Sequence, residues 1–354
     1  MPNKYENRVK KVFDRIVASS DAFLITNLKN IRYLTGFRGS FAIALLTGQG
    51  CYLFVDFRYL KQAQKEAAGE ILLFKKSWID TLMSVIKEKN IQRLSFEDTC
   101  SYEIFSMLER QKIELIPQKL QVETVRAVKD QEEIDSIKKA VDIAERAFLN
   151  IKHCIKANVS ERAIAVALEN ELRLLGSESI PFPVIVASGK NSSMPHWNAS
   201  DRVLKNGDFV IIDWGAGYDG YFSDMTRTFI IGEATEVQKN IYEIVKKANI
   251  SAIQCCSAGV EAKTIDESAR RLIEDAGYGE NFGHATGHGV GLDVHELPKI
   301  SSESEVKIDN GMVFTVEPGV YIEESGGVRI EDMVVIKENR VKILTDLPKD
   351  FEIL

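Results

Sequence analysis

Residues 206–215 read NGDFVIIDWG, and residues 310–319, which lie 104 positions later, read NGMVFTVEPG. Both segments begin with Asn-Gly, continue as a short apolar run, and reach an acid two residues before a glycine. That acid is Asp213 in the first segment and Glu317 in the second. Short apolar runs between turn residues predict buried strands. A repeated strand with an acid at the same place predicts a duplicated unit, with a site between the halves that draws residues from both.

The helices that precede these strands repeat as well. A shift of 101 residues lays the amphipathic pattern of residues 143–176 over that of residues 244–277, and Gly176 falls on Gly277. Buried strands and amphipathic helices resemble one another in many proteins, so chance similarity is the alternative. The matched glycines and acids favour duplication. Capping patterns predict that the four helices begin at Asp130, Ser160, Thr235 and Thr264.

The composition bounds the class of protein. The chain has 354 residues, of which 45% are hydrophobic and 27% charged, and its net charge is −7. Its length predicts two domains, and a mildly acidic chain without a basic block is not expected to bind nucleic acid or an anionic membrane. No run approaches the roughly 18 apolar residues that cross a bilayer. Five scattered cysteines without a C-x-x-C motif indicate a reduced, cytoplasmic protein.

The first part of the chain has the pattern of a small α/β domain. Apolar runs predict strands at residues 21–26, 41–46 and 51–55, and helical spacing predicts helices at residues 78–89 and 102–111. We expect this domain to cover residues 1–122 and a second domain to cover residues 123–354. The polar residues 118–133 are expected to form a linker.

Four acids converge if each repeated strand returns as a hairpin. Asp213 and Asp224 then become cross-strand neighbours, and Glu317 and Glu331 take the corresponding places in the second hairpin. Four buried carboxylates repel one another strongly unless cations compensate them. His288, between two glycines, adds a nitrogen ligand. An oxygen-rich set with one histidine suits two hard or borderline divalent ions, so manganese or cobalt fits better than a thiolate-type zinc site.

Several motifs resemble those of one enzyme superfamily. They are SGKNSSMPH (188–196), the pair Asp213 and Asp224, GHGVGLDVHE (287–296), EPG (317–319) and GVRIED (327–332). Together they resemble the M24-type metallopeptidases of the creatinase and methionine-aminopeptidase superfamily. NIRYLTGFRGS (30–40) and VDFRY (55–59) resemble the creatinase-type amino-terminal domain. The resemblance implies an α+β protein, in which a creatinase-like α/β domain precedes a duplicated catalytic domain with the pita-bread fold.

The resemblance also implies a ligand set for two divalent metal ions, with Mn²⁺ or Co²⁺ expected and Zn²⁺ as a further option. The implied ligands are Asp213, Asp224, His288, Glu317 and Glu331. Asp224 and Glu331 would bridge the two ions. Asp213 would complete the shell of one ion, and His288 and Glu317 that of the other.

A further set of residues is implied on the substrate side. His196 and His295 would donate hydrogen bonds to the tetrahedral oxyanion or hold the residue at the cleaved bond, and Glu317 would shuttle a proton to the leaving nitrogen. His284 would bind substrate, although it could instead be a packed neighbour of His288. Arg329 shares a strand face with Glu331, and it either balances the carboxylates or touches the substrate. Trp197 departs from the glycine that many members of the family have after Pro-His.

The activity expected from the resemblance is hydrolysis of Xaa-Pro peptides. Xaa-Pro aminopeptidase comes first and Xaa-Pro dipeptidase (prolidase) is the alternative. A creatinase-type hydrolase and a non-catalytic binding module are further alternatives, but members of those kinds lack the ligand set that this chain keeps. The resemblance also implies a homodimer.

Overall fold

The computed structural model describes residues 3–354. Two compact units divide between residues 126 and 127, and the second of them is Ala127–Leu354. The expected domain boundary at 122/123 stays a prediction. Within the described residues, no helix is long and apolar enough to cross a membrane.

The first unit is built on one mixed sheet. Its helices are α1 (Lys4–Ile16), α2 (Leu28–Thr35), α3 (Leu60–Glu66), α4 (Trp78–Glu88), α5 (Tyr102–Glu109) and α6 (Gln121–Arg126). Its strands are β1 (Ala22–Ile25), β2 (Ile43–Thr47), β3 (Gly50–Val55), β4 (Glu70–Leu73), β5 (Arg93–Glu97) and β6 (Glu114–Gln118). The strand order is β4-β3-β2-β1-β5-β6, in which β1, β2 and β3 run antiparallel and the outer pairs are parallel.

The three strands and two helices predicted for this part are confirmed as β1, β2, β3, α4 and α5. The two units divide within the expected linker at residues 118–133, but this segment has regular secondary structure. The segment forms the end of β6, the helix α6 and the start of the next helix. Val122 and Arg126 of α6 are only 1% and 2% exposed. The helix was not predicted because most of its side chains are polar, and only a few of its residues are buried.

The second unit contains four long helices and twelve strands within the described residues. Its helices are α7 (Gln131–Ile151), α8 (Glu161–Leu174), α9 (Glu236–Cys255) and α10 (Ala262–Asp275). The strands of its first half are β7 (Ile185–Ser188), β8 (Phe209–Trp214), β9 (Gly217–Tyr218), β10 (Tyr221–Phe222) and β11 (Met225–Ile230). Those of its second half are β12 (Gly287–Gly289), β13 (Glu296–Ile300), β14 (Val313–Val316), β15 (Gly319–Ile322), β16 (Gly326–Arg329), β17 (Asp332–Lys337) and β18 (Arg340–Ile343).

The two halves of this unit share one plan. In each half a pair of helices precedes a long hairpin, β8–β11 or β14–β17, whose tip is a smaller hairpin, β9–β10 or β15–β16. The first half forms the sheet β11-β8-β7, and the second forms β13-β12-β14-β17-β18. The predicted repeat is therefore present as a repeat of elements.

Capping residues fix the starts of three of these helices. Asp130 and Thr235 each form a capping box, with Glu133 and Gln238 respectively, and Ser160 caps α8 through its side chain. The start predicted at Thr264 is wrong, because α10 begins at Ala262. There the backbone N–H groups of Ala262 and Lys263 donate to the carbonyls of Val306 and Ser304. A neighbouring segment satisfies the free N–H groups, so no side-chain cap is needed.

Candidate metal centre

The five predicted metal ligands come together between the two hairpins. Asp213 lies in β8, and Asp224 comes just before β11. His288 is the middle residue of β12, Glu317 lies between β14 and β15, and Glu331 lies between β16 and β17. His288 Nε2 is 3.2 Å from Glu317 Oε1 and 3.6 Å from Asp224 Oδ2. Asp224, His288 and Glu331 each offer a ligand atom, and these atoms lie within 4.8 Å of one another.

The strand register shows how the two aspartates lie on the first hairpin. Asp213 pairs directly with Thr226, and Asp224 precedes the first paired residue of β11, Met225. The two aspartates are therefore diagonal neighbours across the hairpin. Thr226 in turn donates a hydrogen bond from Oγ1 to Glu331 Oε2, at 2.7 Å. This bond links the two hairpins at the cluster.

Burial and mutual repulsion make it energetically unfavourable for all four carboxylates to be ionised at once. Burial, together with repulsion from neighbouring acids, raises the pKa of Asp224 and of Glu331 well above the ordinary value. Burial also raises the pKa of Asp213. Burial opposes the charge of Glu317 too, but the hydrogen bond and charge of His288 lower its pKa to about 2. Bound cations would remove the cause of the raised values, because they favour the ionised forms.

One buried oxygen of the cluster lacks a partner. Asp213 Oδ2 accepts a 2.7 Å hydrogen bond from Arg329 Nη2, whereas Oδ1 has no hydrogen-bond partner among the described residues. Buried carboxylate oxygens are normally satisfied, and an unsatisfied one in a native protein requires an explanation. A cation would supply the missing partner. The donor set therefore fits divalent metal, by charge and by the unpartnered atom.

Backbone packing fixes the orientation of His288. Its Nδ1 lies 3.1 Å from the carbonyl oxygen of Gly289, which can only accept a hydrogen bond. In the neutral ring that binds a metal ion, the proton would sit on Nδ1 and Nε2 would be the ligand atom. A Cβ on Gly287 would come within 1.9 Å of the Thr315 carbonyl oxygen, and one on Gly289 within 2.0 Å of that of Leu297. Only glycine permits this close approach.

A chain of hydrogen bonds joins Arg329 to His284. Arg329 Nη1 donates to the Tyr321 hydroxyl, and that hydroxyl lies 2.9 Å from His284 Nε2. His284 Nδ1 lies 2.8 Å from the Ala285 carbonyl, so the hydroxyl donates and Nε2 accepts. Burial lowers the pKa of His284, in keeping with a neutral ring. Both of its nitrogens are engaged, which is the packed arrangement weighed as the alternative for this residue.

His196 and His295 differ from the residues of the cluster in being exposed. The ring centroids of His295 and His288 are 4.2 Å apart. His196 follows Pro195, whose carbonyl oxygen lies 3.4 Å from Arg329 Nη1. His295 thus adjoins His288, and His196 follows a residue that contacts Arg329.

Three polar residues of the site were not singled out from the sequence. Thr226 bonds Glu331 and Arg329, Thr315 donates to Glu317 Oε1 at 3.0 Å, and Tyr321 bonds Arg329 and His284. Thr226 and Thr315 each lie two residues from an acid of the cluster, a spacing that puts side chains on one side of an extended chain, and this spacing was the available signal. Tyr321 carries no such signal, because its contacts depend on how the small hairpin folds.

Comparisons with known proteins agree with this geometry. Residues 135–338 match metallopeptidase family M24, and residues 8–128 match the creatinase/prolidase N-terminal domain. An uncharacterised peptidase, YqhT, of Bacillus subtilis is 41% identical over 94% of this chain and 96% of its own length. The Xaa-Pro dipeptidase of Pyrococcus horikoshii is 37% identical over 97% of this chain and 98% of its own.

Solved structures extend the likeness to three dimensions. An Xaa-Pro dipeptidase from Bacillus anthracis is 39% identical and superposes with a TM-score of 0.97, covering 99% of this chain and all of the other. An X-Pro aminopeptidase from Thermotoga maritima, also 39% identical, gives 0.88 over 98% of this chain and 99% of the other. With a creatinase/prolidase-type domain in front of a catalytic domain of pita-bread fold, this chain belongs to metallopeptidase family M24, a family of divalent-metal peptidases.

Proposed function

We propose that the cluster is a dinuclear metal centre, with manganese or cobalt as the preferred ions. Its ligands would be Asp213, Asp224, His288, Glu317 and Glu331. The observation that carries this proposal is the burial of four carboxylates around one imidazole, with Oδ1 of Asp213 unpartnered among the described residues. Asp224 and Glu331 would be the pair shared by the two ions, as the family resemblance implies. Burial, together with repulsion from neighbouring acids, raises the pKa of both.

The proposed reaction is hydrolysis of a peptide bond. When bound, two such cations lower the pKa of a water molecule and polarise a carbonyl oxygen. Glu317 lies beside His288, and its carboxylate would accept a proton from water. The nitrogen of an Xaa-Pro bond has no hydrogen of its own, so Glu317 would then deliver the proton that the nitrogen needs in order to leave.

The exposed histidines would act on the substrate. His196 and His295 are exposed, and His295 lies beside His288; each would donate a hydrogen bond to the oxyanion that develops on the carbonyl. Arg329 is buried and bonded to Asp213, and it would hold this carboxylate in place. His284, with both nitrogens engaged, would shape the pocket beside them.

The preference for proline is proposed from the relatives, whose names include Xaa-Pro dipeptidase and X-Pro aminopeptidase. Two length preferences are candidates. Release of the first residue from longer peptides is the activity expected from the sequence, and the Thermotoga maritima structure supports it. Cleavage confined to dipeptides is supported by the Bacillus anthracis and Pyrococcus horikoshii proteins.

Three substrates separate the candidates. Ala-Pro, Ala-Pro-Ala and Ala-Ala-Pro are incubated with the manganese-loaded protein, and the products are identified by mass spectrometry. Cleavage of Ala-Pro-Ala after its first residue supports the aminopeptidase, whereas turnover of Ala-Pro alone supports the dipeptidase. Rapid release of the first alanine from Ala-Ala-Pro contradicts both, because that bond does not precede proline.

The metal content tests the remaining alternatives. After manganese loading and desalting, the proposal expects two ions per chain, measured by inductively coupled plasma mass spectrometry. Binding of no metal would favour a creatinase-type hydrolase or a non-catalytic binding module. The homodimer implied by the family resemblance stays a prediction, which sedimentation velocity would check.

A further inference from the structure

Glu161, the first residue of α8, has an unusually well satisfied side chain. It is 0% exposed, and its carboxylate accepts six hydrogen bonds, three on each oxygen. Oε1 accepts from Ser188 N, Ser188 Oγ and Asn191 Nδ2, at 2.8, 2.7 and 3.0 Å. Oε2 accepts from Trp197 Nε1, Ser200 N and Ser200 Oγ, at 2.9, 3.0 and 2.6 Å.

All six donors come from one stretch of chain, residues 188–200. This stretch leaves the end of β7, forms a short 3₁₀ helix at Gly189–Ser193, and then carries the exposed His196. One oxygen of Glu161 therefore binds the beginning of the stretch, and the other binds its end. His196 lies between these two anchors, next to Trp197. The side chain of Glu161, in α8, thus connects the two ends of the loop that carries His196.

The same stretch also contacts β16, the strand that leads to Glu331. Ser192 Oγ accepts a 2.8 Å hydrogen bond from the backbone N–H of Gly327 in β16. Arg329, at the end of β16, contacts the Pro195 carbonyl and binds Asp213. The segment with His196 is therefore held between Glu161 and the strand of the metal cluster, which fixes where the imidazole can lie.

The carboxylate of Glu161 is charged in spite of its burial. Burial by itself would raise the pKa, but the side-chain hydrogen bonds from Ser188, Ser200, Trp197 and Asn191 lower it below the ordinary value. An acid in the first turn of a helix often serves only the helix dipole, and such an acid is usually solvated. That role does not require six donors from a separate loop.

The second half of the unit uses a similar device. Asp266 in α10 is also 0% exposed, and it accepts hydrogen bonds from the backbone and hydroxyl of Thr286. Arg270, bonded to the same carboxylate, donates to the carbonyls of Phe282 and His284. In each half, a buried acid on the second helix thus binds a segment that carries a histidine of the site.

We propose that Glu161 is a positioning residue, which holds residues 188–200 so that His196 reaches the substrate. The inference rests on the proposed function, because it takes His196 to contact the reacting peptide. Trp197 is part of the device: it fills the place after Pro-His where many members of the family have glycine, and its indole N–H reaches Glu161. Glu161 acts through His196 and does not itself touch substrate or metal.

A double-mutant cycle tests this route. Glu161→Gln keeps the size of the side chain but replaces one carboxylate oxygen with an NH₂ group. That group cannot accept the three hydrogen bonds that the oxygen accepts. We expect kcat/KM for an Xaa-Pro substrate to fall about 10- to 100-fold, the scale of a misplaced catalytic group, with metal content unchanged. In the His196→Ala background the same change should cost less than about 2-fold, since the group that it positions is gone. Equal losses in both backgrounds would overturn the proposal.

Glu145→Gln is the matched control. Glu145 is another buried glutamate, and its Oε1 accepts hydrogen bonds from the backbone N–H groups of Asp346 and Leu347. Its loss should lower the melting temperature, as the loss of Glu161 should, but leave kcat and KM unchanged in both backgrounds. If Glu145→Gln lost as much kcat/KM as Glu161→Gln, general destabilisation would explain both losses and the proposal would be overturned.

A spectroscopic reading does not depend on peptidase activity. The indole N–H of Trp197, assigned in a ¹⁵N spectrum by its disappearance in Trp197→Phe, donates to a charged acceptor. It should move upfield in Glu161→Gln, and the imidazole signals of His196 should shift with it. Unmoved signals of both residues would overturn the proposal even if activity fell. Failure of the wild-type protein to cleave any Xaa-Pro peptide would instead contradict the proposed function, and the two signals would still decide whether Glu161 positions His196.

If the Glu161→Gln variant fails to fold, Trp197→Phe provides a second test of the proposal. It removes one of six donors and keeps an aromatic ring, so the protein should fold. We expect a smaller loss of kcat/KM in the same direction, again absent in the His196→Ala background. A loss that persisted undiminished in that background would contradict the positioning role.

Discussion

His288 and His295 lie with their rings 4.2 Å apart and inclined by 60°, yet the first is partly buried among carboxylates and the second is exposed. We propose different tasks for the two residues. His288 has its Nε2 within 3.6 Å of two acids, whereas the side chain of His295 is exposed. Replacing each histidine separately by alanine should therefore distinguish a loss of metal binding from a loss of catalysis.

His295→Ala should lose turnover on the order of 10²–10³-fold and keep both metal ions, because it removes one donor to the oxyanion and none of the proposed ligands. His288→Ala should lose metal together with activity. Metal content and steady-state rate are measured for both variants in one buffer. If His295→Ala sheds metal as readily as His288→Ala, the division of roles is wrong.

Asp224→Asn should weaken the binding of at least one ion and abolish most turnover, because the amide removes the charge of a proposed bridging ligand. Titration calorimetry with manganese measures the affinity. Asp219→Asn is the matched control: it makes the same chemical change at the tip of the same hairpin. Its φ of 46° is a conformation that asparagine adopts readily. Two ions bound to Asp224→Asn with wild-type affinity would reject the bridging assignment.

Gly287→Ala should disrupt the strand that carries His288. The added Cβ would meet the Thr315 carbonyl oxygen at 1.9 Å, so the backbone would have to move, at a cost of about 1–3 kcal/mol or more. We expect a lower melting temperature and weaker metal binding. Gly283→Ala, in the same connection, places its Cβ where no atom lies within 4 Å, and should change stability by less than about 0.5 kcal/mol. Equal behaviour of the two variants would contradict this prediction.

Metal should stabilise the protein by relieving the repulsion among its buried acids. At a free manganese concentration of 100 times the dissociation constant, binding at one site adds about 2.7 kcal/mol to the free energy of unfolding. Differential scanning calorimetry with manganese and after chelation measures this shift. His295→Ala should keep it and Asp224→Asn should lose most of it. A melting temperature that does not respond to manganese in the wild-type protein would argue against an ion in this cluster.

The contribution of Glu161 to stability should depend on pH in a defined direction. Its pKa is lowered in the folded protein, so the contribution is complete above the unfolded value of about 4.3. It is lost as the pH falls through the lower folded value. The difference in unfolding free energy between wild type and Glu161→Gln should therefore be constant near neutral pH and shrink below about pH 4. A difference that grew on acidification would have the wrong sign.

Local patterns in the sequence predicted most of the elements and the composition of the cluster, and the exceptions share a physical cause. Short apolar runs predicted β8 and β14, which are buried along almost their whole length, and helical periodicity predicted the long helices, each of which buries one face. The start of α10 was missed because its free N–H groups bond to residues 304–306, which are distant in sequence. α6 was missed because only a few of its residues face the core. In each case, contacts remote along the chain decided the local structure.

The polar partners of the site were harder to predict for the same reason. Nothing near Glu161 in the sequence indicates that six donors from residues 188–200 converge on it. Trp197 could be noticed only as a departure from the family pattern, and its hydrogen bond to Glu161 gives that departure a physical role. Tyr321 likewise owes its place between Arg329 and His284 to the fold of a small hairpin.

The duplication of the second unit gives the proposed ions a mechanical consequence. Asp224 belongs to the first half and Glu331 to the second, so a cation bound by both would close a loop of about a hundred residues, as a covalent cross-link would. The five cysteines are all free, and a metal tie of this kind needs no oxidising surroundings. Unlike a disulfide, this metal-mediated link would form when the ion is available and break when it is removed. Chelation would then loosen the seam between the halves as well as stop the chemistry, and the availability of metal would set how long the folded chain resists proteolysis.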